Sequence, residues 1–176
     1  MNIPSLFVGD AVRATAEPLS SLPISPKILF ALFRNKEGNF MHDFPAYSQS
    51  DKPTQPKTEV KLTYRIVSPY EFGEYPRATA VLNELGGEGT AETDIFDLAS
   101  LLAKQCDGED GPLSLEDENL FFIRNDEGVL LAVYVRFNGY RRNKFDESYR
   151  WIFDAFKIED TVVSGLTRVF TPLTAP

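Results

Sequence analysis

The segment "TEVKLTYRIV" (58–67) alternates cleanly, with Val60, Leu62, Tyr64 and Ile66 on one side of an extended chain and Glu59, Lys61, Thr63 and Arg65 on the other. A period of two predicts a strand in a sheet with one wet face. "VLLAVYVRF" (129–137) is apolar on both sides, which predicts a central place in the sheet. It follows "ENLFFI" (118–123) and the turn "RNDEG", and a matching "RNKEG" stands between "KILFALFR" (27–34) and "NFMHDF" (39–44). In each turn, Asn can bond the backbone ahead of it and Gly supplies the positive φ of a bulge. Two hairpins are predicted, and the shared residues are those that reverse a strand; repeated turn chemistry explains the match better than internal duplication. "YRWIFDAFKI" (149–158) and "LTRVF" (166–170) read as the last strands.

In mid-chain the period changes. After Pro76, suited to a first helical turn, Ala78, Val81, Leu82 and Leu85 follow the i, i+3, i+4, i+7 spacing of one helix face, and Gly86 is a natural stop. A second helix is predicted from about Asp94 to Gln105, with Ile95, Leu98, Ala99 and Leu102 on its apolar face. Asp94 and Asp97 lie early and Lys104 late, as the helix dipole prefers. Residues 1–26, with Pro4, Pro18, Pro23 and Pro26 and no sustained period, read as extended coil over the surface. The expected fold class is α+β: a mainly antiparallel sheet of two hairpins plus single strands, with a two-helix acidic segment (about 76–106) packed on one face. Residues 27–176 would form one domain behind the extended N-terminal segment.

Charge sharpens this picture more than composition does. The net charge is −8, yet between Glu84 and Glu118 eleven acids face a single base, Lys104, so the rest of the chain is slightly positive. Negative charge gathered in this way attracts basic partners and repels phosphate backbones. Glu88, Glu92, Asp94, Asp97, Asp107, Glu109, Asp110, Glu116, Asp117 and Glu118 are therefore the candidate partner-binding residues. A secondary basic patch, Arg136, Arg141, Arg142, Lys144 and Arg150, is interleaved with Phe137, Tyr140, Phe145, Tyr149 and Trp151, the mixture that holds single-stranded nucleic acid. Asp146 and Glu147 interrupt it, and the chain is acidic, so nucleic acid is not the expected partner.

Motif chemistry is sparse. "LGGEGTAETD" (85–94) lacks the Lys-Ser/Thr of a phosphate loop and carries Glu88, Glu92 and Asp94 where phosphate would sit. "DGEDGPLSLEDE" (107–118) spaces Asp107 and Glu118 like the outer ligands of a calcium loop, but Pro112 replaces the required glycine and Gly111 a ligand. His42 and Cys106 are the only histidine and the only cysteine, so a zinc site of such ligands cannot be built within one chain and no intrachain disulfide can form. A His42–Cys106 dyad would need contact in space, and Cys106 sits where a small core residue is expected. No cofactor, metal or catalytic residue is assigned. The start "MNIPSLFVGDAVRA" lacks the pattern of a secretory leader, nothing approaches a membrane span, and a reducing, cytoplasmic setting is expected.

Two functions remain in play. The first is a non-catalytic interaction module presenting residues 84–118 to a basic protein surface, in a sharper version mimicking nucleic-acid phosphates to block a nucleic-acid-binding protein. The second is a small enzyme or ligand-binding domain with a pocket between sheet and helices, lined by Tyr64, Tyr134, Trp151 and nearby carboxylates.

Overall fold

The alternating run folds as strand β2 (Val60–Val67) in the computed structural model, which describes residues 5–16, 60–69, 74–105, 108–137 and 151–173. Val60 and Leu62 are buried as the alternation requires, but the last buried residue, Val67, points to the opposite face, where it pairs with Phe7. The partner strand is β1 (Phe7–Ala16), so part of the stretch expected as surface coil is instead ten residues of antiparallel strand. An irregularity between Val8 and Val12, with Gly9 at φ +69°, breaks its register and hides its period from the sequence.

The helical middle begins with α1 (Ala78–Glu84), continues through one short turn, α2 (Glu88–Ala91), and a two-residue strand, β3 (Glu92–Thr93), and ends with α3 (Ile95–Lys104). The side chain of Asp94 caps α3 by accepting the Phe96 N–H at 2.8 Å. Strands β4 (Asn119–Arg124) and β5 (Leu130–Phe137) form the expected hairpin, and the Asn125 side chain accepts the N–H groups of Glu127 and Val129 across the turn. The other predicted hairpin, residues 27–44, lies outside the described residues. Strands β6 (Trp151–Lys157) and β7 (Arg168–Pro172) complete a seven-stranded sheet of order β1-β2-β7-β4-β5-β6, with β3 parallel to β4 off this path. The pairings are antiparallel except β4 with β7 and β4 with β3. The fold is α+β with a mostly antiparallel sheet.

The two main helices do not share a face. Ile95, Leu98, Leu101 and Leu102 of α3 pack with Leu62, Phe121, Val133, Phe153 and Phe170. Val81 and Leu82 of α1 pack on the other side with Phe122, Ala132, Tyr134 and Val169. Phe121 and Phe122 are adjacent in β4 and both fully buried, so both sheet faces need cover, and the helices divide to supply it. The crossover from β6 to β7 (158–167) also lies over the α1 face. Its Ile158 and Val163 are buried there, and it is stitched to the start of α1 by Ala78 N–H to Thr161 O (2.9 Å) and to the residue before the helix cap by Val163 N–H to Pro76 O (2.8 Å). No helix among the described residues is long and apolar enough to cross a membrane.

Candidate functional site

Glu118 immediately precedes β4, and its side chain emerges on the α1 face, past the cover that α1 provides. Cross-strand pairing sets Leu120 opposite Tyr134 and Tyr134 opposite Asp154, so Glu118, Tyr134, Arg136 and Asp154 form a row on that face. The Arg136 guanidinium donates to Asp154 Oδ2 at 2.8 Å and stands 3.9 Å from Glu118 Oε1. Ser164 in the crossover donates to Glu118 Oε2 at 2.8 Å; its one proton being committed, Thr167 is the donor in the 3.0 Å Thr167–Ser164 contact.

Two hollows flank this row and share Glu118 and Arg136. One, of about 340 Å³, runs between the sheet and the crossover and is lined also by Tyr134, Phe156, Asp160 and Val162. The other, of about 290 Å³, is lined also by Glu116, Asp117 and Ser164. Together they make one groove that, among the described residues, has five carboxylates (Glu116, Asp117, Glu118, Asp154 and Asp160) and one cation, Arg136.

Tyr134 closes the floor of the first hollow, donating its hydroxyl to Val162 O at 3.1 Å. Burial pushes its phenol well above the ordinary value, and the charge on Glu118 adds to the shift. A folded value above the unfolded one means that the folded protein holds this proton more tightly. Stability from this group is complete below the unfolded value of about 10 and falls as pH rises from there towards the folded value. Thermal midpoints measured across alkaline pH should decline less steeply for Tyr134→Phe than for the parent, and phenolate absorbance should show a late-titrating tyrosine that is lost in that variant.

The acidic loop leading into Glu118 is held by buried amides. Gln105, fully buried after the last turn of α3, donates through Nε2 to Glu109 O (2.8 Å) and Leu113 O (3.2 Å) and accepts Leu113 N–H at 2.8 Å. Its own carbonyl takes the Trp151 indole N–H at 2.9 Å. Asn119, also fully buried, accepts Ser114 N–H (2.7 Å) and donates to Ser114 O (3.0 Å) and Val135 O (3.1 Å). Arg168 adds a bond to Pro112 O at 2.6 Å while its guanidinium lies over the Tyr64 ring. With its backbone tied at these points, the loop presents Glu109, Asp110 and Glu116 exposed and Asp117 partly so.

The ten acidic candidates therefore part company. Glu116, Asp117 and Glu118 gather at the start of β4, while Glu109 and Asp110 stand earlier in the loop, beside Gln105, and line neither hollow. Glu88 and Glu92 lie at the other end of β4, about 20 Å away by strand rise, where Arg124 donates to them at 3.0 and 2.8 Å. These bonds, to Glu92 most and then Glu88, drive the pKa of Arg124 still higher. Asp94 is a helix cap and Asp97 is buried on α3, both beside that second end, where they help line a wide hollow of about 660 Å³. The expectation of one acidic surface spanning 84–118 is thus corrected: β4 separates its two halves, and the Glu88–Glu92 half carries its own cation. Asp107, and Arg141, Arg142, Lys144 and Arg150 of the basic patch, fall outside the described residues, as do His42 and Cys106. Arg136 is described, and it serves the acidic groove.

The pocket expected around Tyr64, Tyr134 and Trp151 is not assembled. Tyr64 packs on the α3 face against Phe170, and Trp151 is fully buried there, whereas Tyr134 faces the groove. Asp154 and Asp160, outside the acidic run, and the latches Gln105 and Asn119 escaped the sequence reading. Gln105 did leave a trace, since it continues the Leu98, Leu102 stripe at i+7 and so marks a polar group bound for the core. Comparison with protein families, with curated proteins and with solved structures found no match for this chain.

Proposed function

We propose that the protein is a non-catalytic interaction module that docks a basic partner surface through the groove around Glu118 and the loop 109–118 leading into it. The observation that carries this reading is the charge of the groove, five carboxylates to one arginine among the described residues, on a latched framework. Such a surface steers a cationic partner and then holds it with few ordering losses. Mimicry of nucleic-acid phosphates draws less support, because the carboxylates of Glu88 and Glu92 are engaged by Arg124. The alternative, a small ligand-binding domain, draws on the same groove, whose larger hollow sits at the low end of small-molecule sites. A reducing, cytoplasmic setting suits the single cysteine.

The two ends of β4 supply the test. Neutralising Glu116, Asp117 and Glu118 together (E116Q, D117N, E118Q) should slow association with an arginine-rich peptide about tenfold at low salt, and the deficit should shrink as salt screens the field. Neutralising Glu88 and Glu92 (E88Q, E92Q) should change the rate far less. Stopped-flow rates that respond equally to both sets, or to neither, would remove the groove as the docking surface.

A further inference from the structure

Two of the exposed large apolar side chains, Phe156 and Val162, stand on opposite walls of the larger hollow, on β6 and on the crossover. Phe156 is 49% exposed although it belongs to an aromatic pair, its ring 6.1 Å from that of Tyr134 at 66°. The buried Tyr134, tied to Val162 O, thus fixes one side of the Phe156 ring and leaves the other to solvent. Between the walls lie carboxylates in excess. Arg136 engages Asp154 and approaches Glu118, while Asp160, exposed at the end of the short helical turn Ile158–Asp160, has no cation within reach among the described residues. A largely polar slot with one aromatic and one aliphatic wall and surplus negative charge complements a cation that is itself flat and partly apolar.

We infer that this hollow is the specificity pocket of the docking surface and takes an arginine side chain of the partner together with an adjoining apolar residue. The inference rests on the reading that the groove binds a basic partner, and it goes further by naming the residue recognised. A guanidinium can lie on the open face of Phe156 while its N–H fork reaches Asp160 or the remaining Asp154 oxygen. Lysine, a strongly hydrated point charge, satisfies the carboxylates but gains little from the ring. Val162, 50% exposed, offers the neighbouring apolar residue a surface that otherwise faces water.

The test uses the full chain and three short capped peptides of equal charge: arginine alternating with leucine, lysine alternating with leucine, and arginine alternating with glycine. Calorimetry should rank the arginine–leucine peptide first, about five- to tenfold tighter than either of the others. Phe156→Ser should erase most of that preference, the loss appearing mainly in faster dissociation of the arginine–leucine peptide. Asp160→Asn, a change at an exposed residue, should weaken all three peptides. Equal affinity for arginine and lysine peptides, or an unchanged ranking in F156S, overturns the pocket; persistent salt-dependent association would then leave the acidic docking surface standing. No binding of any peptide at low salt overturns both. Should sedimentation show a dimer that F156S dissolves, the occupant is a second copy of this chain and the arginine assignment is overturned.

Discussion

Asn119→Ala should lower the unfolding free energy by about 3 kcal/mol, a large change for a residue that contributes no apolar surface. Its amide makes three hydrogen bonds in a fully buried position, to Ser114 N–H, Ser114 O and Val135 O. Alanine fills less space and offers no partner, so one N–H and two carbonyls lose a bond where water is excluded. Urea denaturation measures the loss, and amide exchange locates it: the Ser114 N–H should exchange fast in the variant while β5 stays protected. Asn119→Asp makes the chemistry explicit. It keeps the acceptor for Ser114 N–H but turns a carboxylate oxygen towards two carbonyls, so it should be the less stable of the two at neutral pH. Protonation restores a donor, so N119D should regain stability relative to N119A as the solution is acidified. Because Asn119 also fixes the loop before Glu118, both variants should bind arginine-rich peptides more weakly even in their folded fraction, through a loop that must be ordered on binding.

How much of this was legible beforehand follows from the range of each interaction. Local chemistry was readable: the 60–67 alternation, the Asn125 and Gly128 turn, the helix start at about Asp94 and the stop at Gly86 all depend on neighbours within a few residues. The apolar run of β5 held more than was drawn from it. A strand buried on both faces demands two layers of cover, which is incompatible with stacking both helices on one side of the sheet. Strand β1 left no period because six consecutive residues are exposed and its register breaks at the irregularity. The insertion of β7 between β2 and β4 was out of reach because it is set by contacts across the whole chain. The site was harder still. A continuous acidic stretch in sequence invites a continuous acidic surface, but β4 carries its two ends apart, and the groove instead recruits Asp154 and Asp160 through cross-strand pairing and the crossover.

The adjacent phenylalanines of β4 test this two-faced design against the proposed function. Phe121→Ala and Phe122→Ala should each cost about 3 to 5 kcal/mol, as expected for truncating a fully buried aromatic ring in a close-packed interior. Phe121 stacks on Phe170 with ring centres 4.5 Å apart and belongs to the α3 face; Phe122 belongs to the cluster beneath α1, the crossover and Tyr134. Domains typically hold only about 5 to 15 kcal/mol in total, so the double variant should be largely unfolded, while each single variant retains a folded population. If the faces are separate layers, the two singles should differ in what the folded fraction can do. F122A removes packing from the groove side and should weaken the arginine–leucine peptide several-fold, with faster amide exchange along the crossover that carries Val162. F121A should be as unstable by denaturation yet bind that peptide, per folded molecule, as the parent does. Equal binding losses in the two variants would mean that the sheet transmits disorder between its faces, and that the groove depends on the α3 core as much as on its own.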